Sequence, residues 1–278
     1  MSRLRDNGEE RIRIPLSQKV VSNAEFDGEL RDDAFAPDRT TLVAGAARAL
    51  REDDRLISMG EMIMEKDGGS LRTFAGNLAH ENGWWPSRKR GRNQHWEGET
   101  ALNALMLQEC EHDVLWAQSE PCLLSFVIGN RRYEWYADLL VRMAEAPDEL
   151  WELKKDERQL EDEDYCLKLA GVREICRRIG MRFRVVMADE VFAHRHHRDN
   201  VWLFASRRFV TITPEHMRRF EAFAIGNGPE STYGELADAI DPSCRNRGKA
   251  VLQGLTIQRR VEIDLRSFLT NRTPVRIH

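Results

Sequence analysis

The order of predicted elements indicates an α/β protein, with a mixed sheet flanked by helices and a smaller helical domain after it. From Trp96 onward the pattern reads as helix, hairpin, strand, helix and strand, the order of a compact α/β domain. After Thr213 it reads as three short helices followed by paired strands. That second order fits a winged-helix-like domain, which places one helix in a groove of DNA, and equally a small helical docking domain.

The N-terminal 80 residues carry little pattern. Within this extension (residues 1–80) only residues 40–52 predict a short helix, with a threonine near its cap. A loop rich in glycine, asparagine and basic residues is expected from Asp67 to about His95. The sequence assigns no role to the extension.

The first domain is expected at residues 81–210. Apolar residues at helical spacing and short apolar runs mark its elements. Gly129-Asn130 is a favoured hairpin turn, and Gly180 is placed where a left-handed helix cap would lie. In chain order we predict a helix at 97–113, strands at 122–128, 131–142 and 150–155, a helix at 162–180, a strand at 181–190 and a short element at 201–209.

The second domain is expected at residues 211–278. Its predicted helices cover 213–225, 232–240 and 247–261, followed by possible β-wings at 262–269 and 273–277.

Composition favours a soluble cytoplasmic protein. Hydrophobic residues make up 41% of the chain and charged residues 32%, enough for a core beneath a heavily ionised surface. No apolar run approaches the roughly 18 residues of a membrane span. The N-terminus lacks the apolar region of a signal peptide. The five cysteines form no CxxC pair and are interpreted as reduced core residues.

Charge is unevenly distributed along the chain. The formal net charge is −4, which by itself argues weakly against nucleic-acid binding. However, residues 145–164 contain ten acids, and residues 243–278 contain eight basic residues against two acids. An acidic centre with basic flanks suits a site that holds cations while its surroundings hold phosphates, although a merely charged surface would look the same.

Two apolar runs carry acids where a buried strand would have aliphatic residues. YADLLV contains Asp138, and LWELK contains Glu152 and Lys154. Alternate side chains of a strand share a face, so Glu152 and Lys154 project together across Leu153. The two carboxylates with a backbone carbonyl, from Leu153, would form the all-oxygen shell that Mg²⁺ or Mn²⁺ prefers. Lys154 would hold the attacking water, and the alternative is a set of charges on a wet sheet face.

The order of these motifs resembles the TnsA-type endonuclease subunit of heteromeric transposases, within the PD-(D/E)xK restriction-endonuclease-like superfamily. The segments are PSRKRGRNQHWEGETALNALMLQECEHDVLWAQSEPCLLSF, YADLLV, WELKK and GMRFRVVMADEV, and they run from about Pro86 to Phe204. The resemblance implies a restriction-endonuclease-like sheet, a winged-helix-like C-terminal domain and Mg²⁺-dependent cleavage of one DNA strand at transposon ends. It also implies an integrase-type transposase subunit and an ATPase regulator as partners.

The resemblance assigns metal binding to Asp138 and Glu152 and the lysine position to Lys154. A helical glutamate of the family falls on Ala101, which cannot bind a metal. Glu97 lies four residues earlier on the same helical face, and Glu99 is nearer in sequence. Either would supply the missing acid, and Glu97 is preferred.

Two basic clusters are candidate DNA contacts. The segment SRKRGR contributes Arg88, Lys89, Arg90 and Arg92, and the predicted start of the last helix contributes Arg245, Arg247 and Lys249. The histidine-rich segment at 194–198 is expected to be a solvated loop, because no cysteine, histidine or acid at zinc spacing completes it. Two other functions remain open: a restriction or defence nuclease of the same superfamily, and a non-catalytic DNA-binding or assembly subunit.

Overall fold

A computed structural model describes residues 11–16, 57–72 and 81–278 of the chain. The described part is a mixed α/β structure. Its strands are β1 Arg11–Pro15, β2 Ile57–Glu65, β3 Asn82–Ser87, β4 Arg92–Glu97, β5 Val114–Ser119, β6 Cys122–Ile128, β7 Arg131–Tyr136, β8 Leu139–Met143, β9 Glu149–Lys154, β10 Arg182–Met187, β11 Glu230–Thr232, β12 Val261–Ile263 and β13 Pro274–Ile277. Its helices are α1 Glu99–Cys110, α2 Glu163–Arg178, α3 Arg195–Ser206, α4 Pro214–Asn227, α5 Tyr233–Ile240 and α6 Arg245–Ile257, and Glu157–Leu160 forms a 3₁₀-helix.

The chain divides into two compact units, neither of which is continuous in sequence. Among the described residues, the first unit contains 11–16, 57–72, 81–85, 94–102 and 117–188. The second unit contains 86–93, 103–116 and 189–278. Residues 189–210, which the sequence pattern groups with the first domain, therefore cluster with the C-terminal segment.

An antiparallel sheet in the order β1-β2-β6-β7 belongs to the first unit. Strand β6 lies between β2 and β7 and is almost completely buried, which fits its run of apolar residues. Strand β2 has a register irregularity between Ser58 and Glu61. Gly60 is required there, because a Cβ at this position would lie 1.8 Å from the carbonyl oxygen of Ser125.

A second sheet, in the order β10-β9-β8-β5, carries the predicted acidic strand at its centre. Strand β9 pairs antiparallel with β8 and parallel with β10. A parallel pair requires a crossover, and α2 supplies it. Asp162 caps the start of α2 by accepting hydrogen bonds from two backbone amides, and Gly180 follows its end in the left-handed region at φ 75°.

The second unit contains helices α3 to α6 and a sheet in the order β11-β13-β12. Threonine capping boxes begin α4 and α5. Helices α5 and α6 approach closely at Gly248, where an added Cβ would lie 2.0 Å from the carbonyl oxygen of Ala237. Leu236, Val251 and Leu255 are fully buried in the core of this unit.

Many local predictions are confirmed. Strands β6, β9 and β10, helix α2 and the three C-terminal helices lie where the sequence patterns place them, within a few residues. Gly129 has the positive φ of 61° that the hairpin turn requires. Four of the five cysteines are buried and all are free thiols, whereas Cys244 is exposed.

Other predictions require correction. The strand expected at 131–142 is interrupted between β7 and β8, because the backbone N–H of Asp138 donates to the carbonyl of Trp151 instead of continuing the β6 pairing. The loop expected from 67 to 95 contains β3 and part of β4. The histidine-rich segment is not a loop but the cap and first turn of α3, since the ring of His194 accepts from the N–H of His197. The helix expected at 40–52 lies outside the described residues.

No helix in the described ranges is long and apolar enough to cross a membrane.

Candidate active site

Three of the four predicted acids, Asp138, Glu97 and Glu99, line a cavity of about 890 Å³ in the first unit, which we name the carboxylate cavity. Carboxylates dominate its charged lining, and cations from three side chains are interspersed among them. The charged lining residues are Arg72, Glu81, Glu97, Glu99, Glu120, Asp138, Lys154 and Lys155.

Asp138 is fixed against strand β9. Its carboxylate accepts a hydrogen bond of 2.7 Å from the backbone N–H of Leu153, and its own N–H donates to Trp151 O at 3.1 Å. Burial raises the pKa of this carboxyl well above its usual range, and the negative charges of Glu152 and Glu120 raise it further. A cation beside Asp138 would relieve both effects.

Glu152 is buried and held by several donors. Its carboxylate accepts a hydrogen bond of 2.5 Å from the indole Nε1 of Trp135 and another from the hydroxyl of Tyr165. The ammonium of Lys154 contacts the same carboxylate. Alternate residues of β9 therefore share a face, as predicted. These three donors occupy three of the roughly four acceptor sites of the carboxylate, so a metal at Glu152 would use the remaining site or displace a donor.

Lys154 lies at the edge of the cavity with restricted freedom. Its Nζ is 4.8 Å from the centroid of the Tyr165 ring, in addition to its contact with Glu152. Only 13% of the lysine side chain is exposed. A partly buried ammonium with one carboxylate partner is well suited to hold a water molecule or a phosphate oxygen.

Glu97 and Glu99 both line the cavity but are held differently. Glu97 ends β4 and is half-buried, whereas Glu99 is exposed as the first residue of α1. Between them Gly98 has φ 78° and donates its N–H to Glu81 O at 2.7 Å, which makes the turn from strand to helix. Ala101 also lines the cavity, so the position of the absent helical glutamate faces this space.

Glu120 is a cavity carboxylate that the sequence reading missed. It follows β5 in a left-handed conformation, φ 47°, which is unusual for a residue with a side chain. Its backbone N–H donates to Asp138 O at 3.0 Å, and its carbonyl accepts from Leu71 N at 2.7 Å. These two bonds fix the residue beside Asp138. An acid alone between two apolar strands, in the run AQSEPCLL, was the signal available in the sequence.

The carboxylate of Glu120 forms an ion pair with Arg72, with 2.6 Å between Nη2 and Oε2. Arg72 also stacks on the ring of Tyr136 at 4.1 Å from the centroid. Burial raises the pKa of Glu120 to about 7; Arg72 opposes that rise, and the charges of Glu152 and Glu97 add to it. Strained backbone and a perturbed carboxyl in one cleft are features that cluster at functional sites.

The basic segment 87–92 forms a tight turn in the second unit, organised by the buried Glu109. One carboxylate oxygen accepts from Arg88 N at 2.6 Å and Lys89 N at 3.1 Å, and the other accepts from the hydroxyl of Ser87 at 2.6 Å. The guanidinium of Arg90 lies 4.3 Å above the ring of Trp116.

Lys89 differs from the predicted phosphate contact. Its ammonium donates to the carbonyls of Gln108, Glu111 and Val114 at 3.1, 2.5 and 2.9 Å, so it satisfies acceptors between the end of α1 and the start of β5. Burial lowers its pKa to about 8. A phosphate would reach this ammonium only after it left those carbonyls, whereas Arg88 is exposed.

The second basic cluster lies at the start of α6 and is exposed but paired. Arg245 forms an ion pair with Asp238, and Arg247 forms one with Asp241. The ammonium of Lys249 lies 5.7 Å from the ring centroid of Tyr233. The exposed Arg245–Asp238 pair contributes little to stability and can exchange its carboxylate for a phosphate. Asp241 is buried, so Arg247 is held more firmly.

The structure therefore brings Asp138, Leu153, Lys154, Glu97 and Glu99 to one cavity, with Glu152 in contact with Lys154. The basic residues predicted to contact DNA all belong to the second unit. Arg72, a cavity cation that was not predicted, lies in the first unit. Comparison of the chain with protein-family models and with curated proteins finds no match.

Proposed function

We propose that this chain is a metal-dependent DNA endonuclease subunit that hydrolyses one strand at transposon ends. One observation carries the proposal. The carboxylate of Asp138 is bonded to Leu153 N at 2.7 Å, beside Lys154, in a cavity whose lining is mainly carboxylate. This arrangement places an acid, a backbone carbonyl and an ammonium within one site, as phosphodiester hydrolysis requires.

The proposal includes the fold of each part. For a restriction-endonuclease-like domain, the support is helix α1 before the sheet that contains β5, β8 and β9, then α2 as the crossover to the parallel strand β10. For a winged-helix-like domain, the support is the succession α4, α5, α6 followed by β12 and β13. Strand β11 adds a third strand to that sheet.

The donor set fits Mg²⁺, with Mn²⁺ as a substitute. Carboxylates of Asp138 and Glu97 and the carbonyl of Leu153 are hard oxygen ligands. Glu152 would join them through its remaining acceptor site or after displacement of a donor. Glu99 is the alternative to Glu97. When bound, the metal would polarise the phosphodiester and lower the pKa of a water molecule.

The chain's own side chains would then position the attacking water and stabilise the charge that develops on the phosphate. Lys154 donates to the attacking water and to a non-bridging phosphate oxygen as negative charge develops there. Trp135 and Tyr165 hold the carboxylate of Glu152, which in turn orients the ammonium of Lys154. Low exposure of this group strengthens each electrostatic contact relative to water.

DNA would be held by basic side chains of the second unit. The turn organised by Glu109 presents Arg88, with Arg90 and Arg92 in the same segment, and Arg245, Arg247 and Lys249 begin α6. Phosphate contacts by these residues would be weakened by salt. We propose an integrase-type transposase subunit and an ATPase regulator as partners, on the basis of the resemblance alone.

A non-catalytic DNA-binding or assembly subunit is the second candidate. Two observations favour it: three protein donors already bind Glu152, and Ala101 occupies the position of the family's helical glutamate. A restriction or defence nuclease would share the same cavity. The neighbouring genes would distinguish such a nuclease from the transposition subunit, because a transposase gene and an ATPase gene are expected only beside the latter.

Titration with Mn²⁺ by calorimetry tests the proposal without a requirement for partner proteins. The wild type is expected to bind, and Asp138→Ala and Glu152→Ala are expected to abolish binding at this site. Glu97→Ala and Glu99→Ala then identify the further acid. A folded wild type that binds no Mn²⁺ in the carboxylate cavity would overturn the nuclease proposal and favour the DNA-binding subunit.

A further inference from the structure

Three side chains with metal-binding atoms converge in the second unit, far along the sequence from one another. His112 follows α1, Glu262 lies in β12, and His278 follows β13. One ligand atom from each lies within 4.8 Å of the other two. Within the described residues this is the one group of three or more His, Cys, Asp or Glu side chains that meets this spacing. We propose that these three residues bind a single transition-metal ion, with Zn²⁺ the best match.

The ligand types select the class of metal. Two neutral imidazoles and one carboxylate suit Zn²⁺, Co²⁺ or Ni²⁺, whereas Mg²⁺ prefers oxygen ligands alone. Three protein ligands leave a fourth tetrahedral position for water. The site therefore differs in chemistry from the carboxylate cavity, and it does not depend on the proposed nuclease function.

The side chains are already in mutual contact. The rings of His112 and His278 stack with 4.1 Å between their centroids, and Nε2 of His278 lies 3.1 Å from Oε2 of Glu262. Ligand atoms around a tetrahedral Zn²⁺ are about 3.3 Å apart, given metal–nitrogen distances of roughly 2.0–2.1 Å. The largest of the three separations between ligand atoms, up to 4.8 Å, must therefore shorten when the ion binds. The exposed side chains of Glu262 and His278, at 48% and 34%, are free to rotate for this.

The backbone beneath the three residues is firmly held. Val261 pairs with Ile277 across the β12–β13 ladder, and the N–H of His278 donates to Arg260 O at 3.0 Å. The carbonyl of His112 accepts a hydrogen bond of 2.6 Å from Nε of Arg259. This bond anchors His112 to the segment that precedes β12. A site on fixed backbone loses less conformational freedom when it binds a metal.

One observation beyond proximity points to a ligand. The Nδ1 atom of His112 is buried and has no hydrogen-bond partner among the described residues. Buried imidazole nitrogens normally have a partner, and a metal ion bound at Nδ1 would supply it. A bound ion would fix the orientation and tautomer of this ring. It would also join the residue after α1 to the three-stranded sheet of the same unit.

The test uses the untagged full chain, freed of metal with a chelator and titrated with Zn²⁺ by calorimetry and with Co²⁺ by visible absorption. We expect one equivalent bound and tetrahedral Co²⁺ bands. Glu262→Gln and His278→Gln should each weaken binding by roughly tenfold or more. Both side chains are exposed, so neither change should impair folding. Zn²⁺ should also raise the Tm of the wild type and not that of Glu262→Gln.

Two matched variants control for other sites. His196→Ala removes an exposed histidine from the neighbouring cluster in α3 and should leave Zn²⁺ affinity unchanged. Asp138→Ala should also leave it unchanged, which separates this site from the carboxylate cavity. No binding by the wild type, undiminished binding by Glu262→Gln and His278→Gln, or equal loss in His196→Ala would each overturn the proposal.

Discussion

Replacement of Glu120 by glutamine tests the role of a buried cavity carboxylate that the sequence did not predict. Only 12% of the side chain is exposed, and its carboxylate pairs with Arg72. Burial raises its pKa from the ordinary value of 4.5 to about 7. Glutamine keeps the size and shape of the side chain and removes its charge.

The sign of the stability effect follows from proton binding. A carboxyl with a higher pKa in the folded state binds more protons there than in the unfolded state between the two pKa values. Its contribution to stability therefore falls as the pH rises through that window. For Glu120 the window runs from about 4.5 to about 7. The gap between these pKa values corresponds to about 3 kcal/mol of destabilisation above pH 7, absent below the lower value.

Urea denaturation of the wild type and Glu120→Gln across this pH range measures the effect. The variant should be more stable by about 3 kcal/mol at pH 8 and nearly equal at pH 4.5. If Glu120 is a metal ligand, the same variant should bind Mn²⁺ roughly 10- to 100-fold more weakly. The buried charge of Glu120 would thus lower the stability of the fold and serve metal binding, as strained residues at functional sites often do.

Glu99→Gln is the matched control, because that carboxylate lines the same cavity but is exposed. Its free energy of unfolding should follow the wild type at every pH. Equal stability of wild type and Glu120→Gln at pH 8 would refute the burial argument. Unchanged Mn²⁺ affinity in Glu120→Gln, with binding intact in the wild type, would refute a role for Glu120 in the metal site.

Three further outcomes are expected. If the proposed function holds, Asp138→Asn should abolish Mn²⁺-dependent nicking of transposon-end DNA, assayed with partners present. DNA affinity in Ca²⁺ should stay within about twofold, because the change removes a proposed metal ligand and no phosphate contact; a loss of DNA affinity would contradict this. Gly248→Ala should lower the free energy of unfolding by about 2 kcal/mol or more, because its Cβ would lie 2.0 Å from Ala237 O. Gly226→Ala in α4, where nothing lies within 4 Å, should be neutral or stabilising by up to about 1 kcal/mol in the same denaturation series. Glu109→Gln should cost roughly 1–3 kcal/mol, because the amide cannot accept all three hydrogen bonds of the basic turn; an unchanged Tm would show that the turn does not depend on this carboxylate.

Local pattern was sufficient for much of the fold. The apolar runs of β6, β9 and β10 and the capped, amphipathic pattern of α2 are local, and they predicted these elements to within a few residues. Glu152 and Lys154 share a face because the period of a strand is two, a property that needs no tertiary information. The hairpin at Gly129 is equally local, since glycine readily adopts the positive φ of that turn.

Long-range contacts decided the rest. Glu120 reaches the carboxylate cavity because its N–H pairs with Asp138 O, eighteen residues away in sequence, and no local period encodes that bond. Lys89 resembled a surface cation in sequence, yet its ammonium donates to three carbonyls between the end of α1 and the start of β5. His112, Glu262 and His278 meet only once β12 and β13 are paired. The sequence by itself determined which segments are helix or strand and which acids share β9. The tertiary structure decided which charges face a cavity, because side-chain surroundings depend on chain segments that are distant in sequence.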